Sequence, residues 1–178
     1  MAPTSANAWL VQTISDMQVA ELLWKIVEED KRMGTEMRFD LYCQIAAKSQ
    51  QIVEKGVKAI HYKLIGKTSE SHYIDGFIDA ILLAPATYKD EVYRIKQVLR
   101  YRRQEIKNLM KLAPKASKGG PTPKNTEYPY HVSGVLTAPA SRNAFLFEDV
   151  WAYYRLAGII LSRVEAYIDI TQVSPFRP

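Results

Sequence analysis

The chain has 178 residues and a mass of 20.3 kDa, which suits one domain with a sizeable core and is too short for two independent domains. Hydrophobic residues make up 47% and charged residues 24%, so the composition indicates a folded globular protein. The net charge of +5 and the pI near 9.2 favour nucleic acid or another acidic surface as a partner over acidic small molecules.

Targeting and redox signals are few. The first 16 residues lack the basic start and the continuous apolar run of a signal peptide. No run of about 18 apolar residues predicts a membrane span. The single cysteine, Cys43, cannot form an intrachain disulfide, so we expect a reducing compartment and interpret this residue as part of the core.

The first predicted helix covers residues 7–32, with Thr4, Ser5 and Asn7 as candidate N-caps and Gly34 as its stop. Its apolar residues are spread around more of the helix than one stripe can hold, and they are Trp9, Leu10, Val11, Ile14, Met17, Val19, Leu22, Leu23, Trp24, Ile26 and Val27. We therefore expect it to be covered from more than one side, by its own domain or by another subunit. The subunit contact is slightly favoured, because an N-terminal helix is easily exchanged between protomers.

The second predicted helix runs from a cap at Thr35 to about Ile65, and Gly66 is its stop. It is amphipathic, and its lysines, namely Lys48, Lys55, Lys58 and Lys63, lie off the apolar face. Gly56 lies on the apolar side, where the missing side chain would let a neighbouring helix approach closely.

A short third helix is predicted over residues 72–83, and Pro85 ends it. His72, Asp75 and Asp79 share one face of this helix, a set that would suit a divalent metal or acid–base chemistry. One helix supplies too few ligands, and no second pair at ligand spacing completes the site. We interpret the three residues as a solvated polar face.

No motif for catalysis or cofactor binding is present. The chain has no Gly-rich phosphate loop and no nucleophile-elbow sequence, and its other histidines have no carboxylate or cysteine at ligand spacing. We therefore expect a protein that is not an enzyme, with no catalytic residue, no metal and no cofactor.

A fourth helix is predicted to begin at Thr87, where Asp90 completes a variant of the capping box. Its apolar residues, which are Val92, Ile95, Leu99, Ile106, Leu109 and Met110, fall on one face. Beside that face lies a stripe of six cations, namely Lys89, Lys96, Arg100, Arg103, Lys107 and Lys111. At 1.5 Å per residue this stripe spans about 33 Å, roughly one turn of a duplex.

The excess positive charge of the chain is concentrated on this helix and the residues after it. Residues 88–118 contain ten Lys or Arg and three Asp or Glu, so their net charge is +7. The net charge is −1 for residues 1–60 and zero for residues 141–178. We predict that the six cations, together with Lys115 and Lys118, contact the phosphates of a nucleic acid. The alternative is an ordinary solvated flank of an amphipathic helix.

Residues 113–141 are rich in Pro and Gly and are predicted to form a long basic loop. Within it, residues 128–136 are aromatic and β-prone, so they are expected either to lie extended across a neighbour or to form a short hairpin. A last helix follows over about residues 143–170. The fold class predicted for residues 1–178 is a single all-α bundle of about five helices with a long loop before the last helix.

In architecture and composition over residues 7–170, the chain resembles the α-helical major coat proteins of filamentous archaeal viruses, whose small basic subunits pair and wrap duplex DNA. The resemblance implies a structural protein of the virion that assembles in the host cytoplasm, with a copy of itself or a paralogous subunit as its partner. It also implies that five stripe residues face the DNA, namely Lys96, Arg100, Arg103, Lys107 and Lys111. The first helix departs from this pattern, because it is neutral to acidic whereas a DNA-wrapping arm is basic.

Two alternatives are open. The stretch Phe147-Glu-Asp-Val-Trp-Ala-Tyr-Tyr, which follows a Lys-Leu-Ala-Pro-Lys segment, is loosely similar to the small helical subunits of CRISPR effector complexes. Those cytoplasmic subunits line a guide–target duplex with cations. The second alternative is a protein-interaction bundle that binds no nucleic acid. No helix-turn-helix, zinc module or RNA-recognition motif supports reading of a base sequence.

Overall fold

The computed structural model describes residues 5–35, 38–67, 73–88, 90–113, 124, 126, 130–133, 135–140 and 144–168. Within these residues the chain forms a helical bundle and one short hairpin, so the predicted all-α class is confirmed. The elements are α1 (Ala6–Met33), α2 (Phe39–Ile65), α3 (Asp75–Leu83), α4 (Glu91–Tyr101), α5 (Arg103–Met110), β1 (Tyr130–Val132), β2 (Val135–Thr137) and α6 (Phe147–Tyr167).

Helix α2 is the centre of the bundle and packs against α1, α3, α5 and α6. Its inward residues Ile45, Ile52 and Val53 have no exposed surface. Gly56 also lies on this side, and a Cβ atom placed there would be only 3.0 Å from Ile160 Cγ2 of α6. The predicted close approach of a helix at this glycine is therefore confirmed.

The ends of α1 follow the predicted signals. The Ser5 hydroxyl accepts a hydrogen bond from the Ala8 N–H at 3.2 Å, and Gly34 adopts the left-handed conformation with φ of 66°. The predicted start of α2 was wrong, because the helix begins at Phe39. The Thr35 hydroxyl instead bonds to the backbone carbonyl and the carboxylate of Asp30, which closes α1.

The predicted basic helix is divided into α4 and α5 at Arg102, whose φ and ψ are −100° and 8°. The apolar face continues across this break, since Ile95, Leu99, Ile106 and Leu109 are all buried. The sequence contains neither proline nor glycine here, so no local signal predicted the interruption. As a result the described residues contain six helices rather than five.

The loop before α6 is described only in part. Its β-prone stretch forms a hairpin, one of the two predicted alternatives, in which β1 and β2 are antiparallel and Tyr130 pairs with Thr137. Ser133 turns the chain with φ of 49°. Most of the remaining loop lies outside the described residues.

Aromatic side chains fill the space between α1 and α6. The Trp24 ring stacks on Tyr154 at a centroid distance of 5.2 Å and on Trp151 at 4.7 Å, and it meets Phe147 at 5.4 Å. The Trp24 indole N–H donates to Glu28 at 2.7 Å. This cluster fixes α6 against α1, while α4 and α5 pack on other parts of the bundle.

Candidate nucleic-acid interface

The acidic face of α3 lies against the basic stripe. Arg103 donates from Nη1 to the Asp79 carboxylate at 2.7 Å, and its Nη2 is 3.9 Å from Asp75. The hydrogen bond from Arg103 lowers the pKa of Asp79 and raises that of the guanidinium. The predicted polar face and one predicted phosphate ligand therefore neutralise each other within this chain.

Lys96 does not lie on the open part of the stripe. It is 8% exposed, and its ammonium group donates to the Ala84 carbonyl at the end of α3. A cation at this position satisfies a carbonyl that the helix leaves without an intrahelical donor. Lys96 therefore links α4 to α3, and its burial contradicts the prediction that it contacts a phosphate.

The other three described members of the stripe remain exposed. Arg100, Lys107 and Lys111 make no ion pair with any residue that the structure describes. Lys107 is close enough to Asp79 to contribute to its lowered pKa. At 1.5 Å per residue the three side chains cover about 16 Å along α4 and α5, which is near half a turn of duplex.

Two further arginines flank this surface and are held by local acids. Arg94 pairs with Glu91 at 3.1 Å, and Arg102 pairs with Glu105 at 2.8 Å, each three residues apart on a helix. The Arg102–Glu105 pair is exposed on both sides, and exposed pairs contribute little to stability, whereas the Glu91 side chain is only 14% exposed. Glu91 also accepts from Arg163 at 3.0 Å, which joins α4 to α6.

Three of the predicted phosphate ligands, Lys89, Lys115 and Lys118, lie outside the described residues, as does His72 of the polar face. The exposed cations of the stripe within the described residues are therefore Arg100, Lys107 and Lys111, while Arg103 is paired with Asp79 of α3.

Buried charge between α1 and α2 was not predicted. Asp16, only 7% exposed, accepts from Lys48 at 2.9 Å and from Lys55 at 2.5 Å. Lys58 is 2% exposed and pairs with Glu54 at 2.7 Å, and its ammonium also lies 5.0 Å from the centre of the Trp9 ring. These lysines look like a solvated face in the sequence, because helical spacing does not show that α1 covers them.

The described residues contain no group of three His, Cys, Asp or Glu side chains arranged to hold a metal ion. His61 is buried against Phe77, and its Nδ1 lies 2.8 Å from the Lys67 carbonyl. Cys43 is 3% exposed, and burial raises the pKa of its thiol, as expected of a core residue rather than a nucleophile.

None of the helices in the part of the chain that the structure describes is long and apolar enough to cross a bilayer. No known family model matches the sequence, and neither a curated protein nor a solved structure is significantly similar to it.

Proposed function

We propose that this protein is a non-enzymatic structural protein that binds nucleic acid, with duplex DNA favoured, and assembles along it as the coat of a filamentous virus does. The observation that carries the proposal is the exposed trio Arg100, Lys107 and Lys111, none of which forms an ion pair with a described acidic side chain. Cations in a row along one helix suit the phosphate backbone, which supplies most of the sequence-independent affinity for DNA.

The charge balance of the described region supports this assignment. Residues 90–113 contain seven Lys or Arg and three Asp or Glu, a balance of +4. Internal bonds account for the other four cations, since Lys96 binds a carbonyl and Arg94, Arg102 and Arg103 bind acids. The three that remain are the ones a polyanion would neutralise.

Aromatic side chains do not accompany the trio in a way that favours single-stranded nucleic acid. Tyr101 is 82% exposed but lies beside Gln97, Arg102 and Ile159 at a groove between α4 and α6. Stacking on bases requires aromatic rings interleaved with the cations that hold the backbone. The surface therefore fits a duplex held by its phosphates better than a strand held by its bases.

Assembly along the duplex is supported by the surface of α1. The structure buries one side of this helix against α2 and α6, yet large apolar residues on its far side stay exposed, including Leu22 at 62% and Met33 at 66%. Apolar surface of this kind marks a contact with another protein surface. The predicted subunit contact of the first helix is consistent with this exposure.

A salt titration of binding to duplex DNA tests the proposal. Each neutralised phosphate contributes about −0.9 to the slope of log affinity against log salt, so the trio predicts about −2.7 for each chain on the duplex. Lys107→Gln should reduce the magnitude by about 0.9 for each chain on the duplex. Lys67→Gln, which removes an exposed lysine at the end of α2, is the matched control and should leave the slope unchanged.

If the affinity of the wild-type protein for DNA does not change with salt, the proposal is refuted. The alternative of a protein-interaction bundle that binds no nucleic acid is then favoured. Sizing the protein with and without DNA then separates the two nucleic-acid readings. A coat subunit forms long assemblies whose mass grows with the DNA, whereas a subunit present once in a larger ribonucleoprotein gives a small complex of fixed stoichiometry.

A further inference from the structure

The far side of α1 carries a stripe of exposed apolar side chains, formed by Val11, Val19, Leu22, Ile26 and Met33, here called the α1 stripe. Their exposed fractions are 46%, 39%, 62%, 41% and 66%. At 100° per residue they project from one side of the helix, away from the buried residues that face α2 and α6. The stripe is about 33 Å long, so it is a continuous apolar surface and not a set of isolated exposed side chains.

The α1 stripe is nearly symmetric about Leu22, since Val19 lies three residues before it and Ile26 four residues after it. Val11 and Met33 each lie 11 residues, or about three turns, from Leu22. Two polar residues interrupt the same side of the helix, and they also lie at equal distances, since Ser15 and Glu29 are each seven residues from Leu22. A helix face with this symmetry matches its own copy when the copy runs in the opposite direction.

We infer that α1 pairs with α1 of a second copy of this chain in an antiparallel, two-fold arrangement centred on Leu22. Leu22 then meets its own counterpart, and Val11 meets Met33 of the second copy. The arrangement is isologous, so every contact away from the axis occurs twice. This inference deepens the proposed function, on which it rests, because it names the surface through which subunits would assemble.

Charge and hydrogen bonding select the antiparallel direction. In this arrangement the Ser15 hydroxyl faces the Glu29 carboxylate of the second copy, a donor opposite an acceptor. Lys25, on the edge of the stripe, comes within about one turn of Glu21 of the second copy. A parallel pair in register would instead place Glu29 opposite Glu29 and Lys25 opposite Lys25, which is unfavourable.

The first test is the mass of the purified protein without nucleic acid, followed over a dilution series by light scattering. We expect twice 20.3 kDa at high concentration and dissociation on dilution. Leu22→Glu places two charges against each other at the axis and should give 20.3 kDa throughout. Leu83→Glu is the matched control, because Leu83 is 85% exposed on α3 and should leave the dimer intact.

The second test is the direction of pairing, measured by cross-linking introduced cysteines with a short bifunctional maleimide. Val11→Cys mixed with Met33→Cys should give cross-linked dimers, since those positions meet. Val11→Cys alone should not, because the two copies of this position are about 33 Å apart in an antiparallel pair. The native Cys43 is 3% exposed and does not compete for the reagent.

A wild-type protein that stays at 20.3 kDa at every concentration overturns the inference, and so does self-cross-linking of Val11→Cys. Neither result bears on the phosphate-binding trio, because both experiments omit nucleic acid. Conversely, Leu22→Glu should still bind DNA with a salt slope near −2.7, since its cations are untouched. If the wild-type protein dimerises but its affinity for DNA does not depend on salt, phosphate binding is refuted and the α1 pairing is still supported.

Discussion

Replacing Gly56 by alanine tests how closely α2 and α6 approach. The added Cβ would lie 3.0 Å from Ile160 Cγ2 and 3.2 Å from Val164 Cγ2, closer than such atoms normally pack. Alanine in a helix interior gains about 1 kcal/mol over glycine, but overfilling a core costs about 1–3 kcal/mol. The cost exceeds the gain, so we expect a net loss of about 1 kcal/mol.

Urea denaturation followed by circular dichroism measures this loss directly. In a chain of 178 residues a change of about 1 kcal/mol moves the thermal midpoint by about 2–4 °C, so a melting curve is a second readout. Gly158→Ala is the matched control. A Cβ at that position of α6 would lie 3.8 Å from Met17 Cε, an ordinary contact, so the variant should be about 1 kcal/mol more stable.

The difference in stability between the two variants tests the close contact of α2 with α6 at Gly56. Both replace a glycine by alanine within a long helix, so the gain from helix propensity is shared and only the surroundings differ. If Gly56→Ala were as stabilising as Gly158→Ala, the close contact of α2 with α6 would be refuted.

Three further substitutions test the charged groups. Asp16→Asn removes the carboxylate that two half-buried lysines of α2 share, and urea denaturation should show a loss of about 2 kcal/mol; no loss would mean the pairs are solvated. Asp79→Asn releases Arg103 for phosphate contact, so the salt slope of DNA binding should steepen by about 0.9, and an unchanged slope would place Arg103 outside the interface. Burial lowers the pKa of His61 below 6.5, so the folded state resists protonation and stability should fall as the pH drops through 6.5; urea midpoints of His61→Asn should lack this decline.

The parts of the fold that depend on local signals were predictable. Gly34 and Gly66 end their helices with positive φ angles of 66° and 81°, the conformation that glycine adopts without strain. The amphipathic spacing of α2 identified its inward face, and Gly56 on that face indicated close contact with another helix. These features were readable because each depends on a residue and its near neighbours in sequence.

The candidate interface was less predictable, because it depends on which helices meet. The spacing of Lys96, Arg103 and Lys107 places them on one side of a helix, but it does not show that α3 covers part of that side. The sequence identified Asp79 as part of a polar face and Arg103 as a phosphate ligand. It did not show that these two side chains form an ion pair with each other. Sequence spacing assigns a residue to a face, and only the tertiary fold shows what lies opposite.

With only three exposed cations in the candidate interface, the proposed assembly and the proposed affinity for DNA are expected to depend on each other. Three phosphate contacts give one chain a salt slope near −2.7, which is shallow for a protein that must cover a duplex. If both chains of an α1-paired dimer contact the same duplex, the number of contacts doubles and the slope approaches −5.4. The second chain then binds at the high effective concentration set by the first. Leu22→Glu should therefore halve the wild-type slope while each chain keeps its own cations, whereas an equal slope in the two proteins would show that pairing and DNA binding are independent.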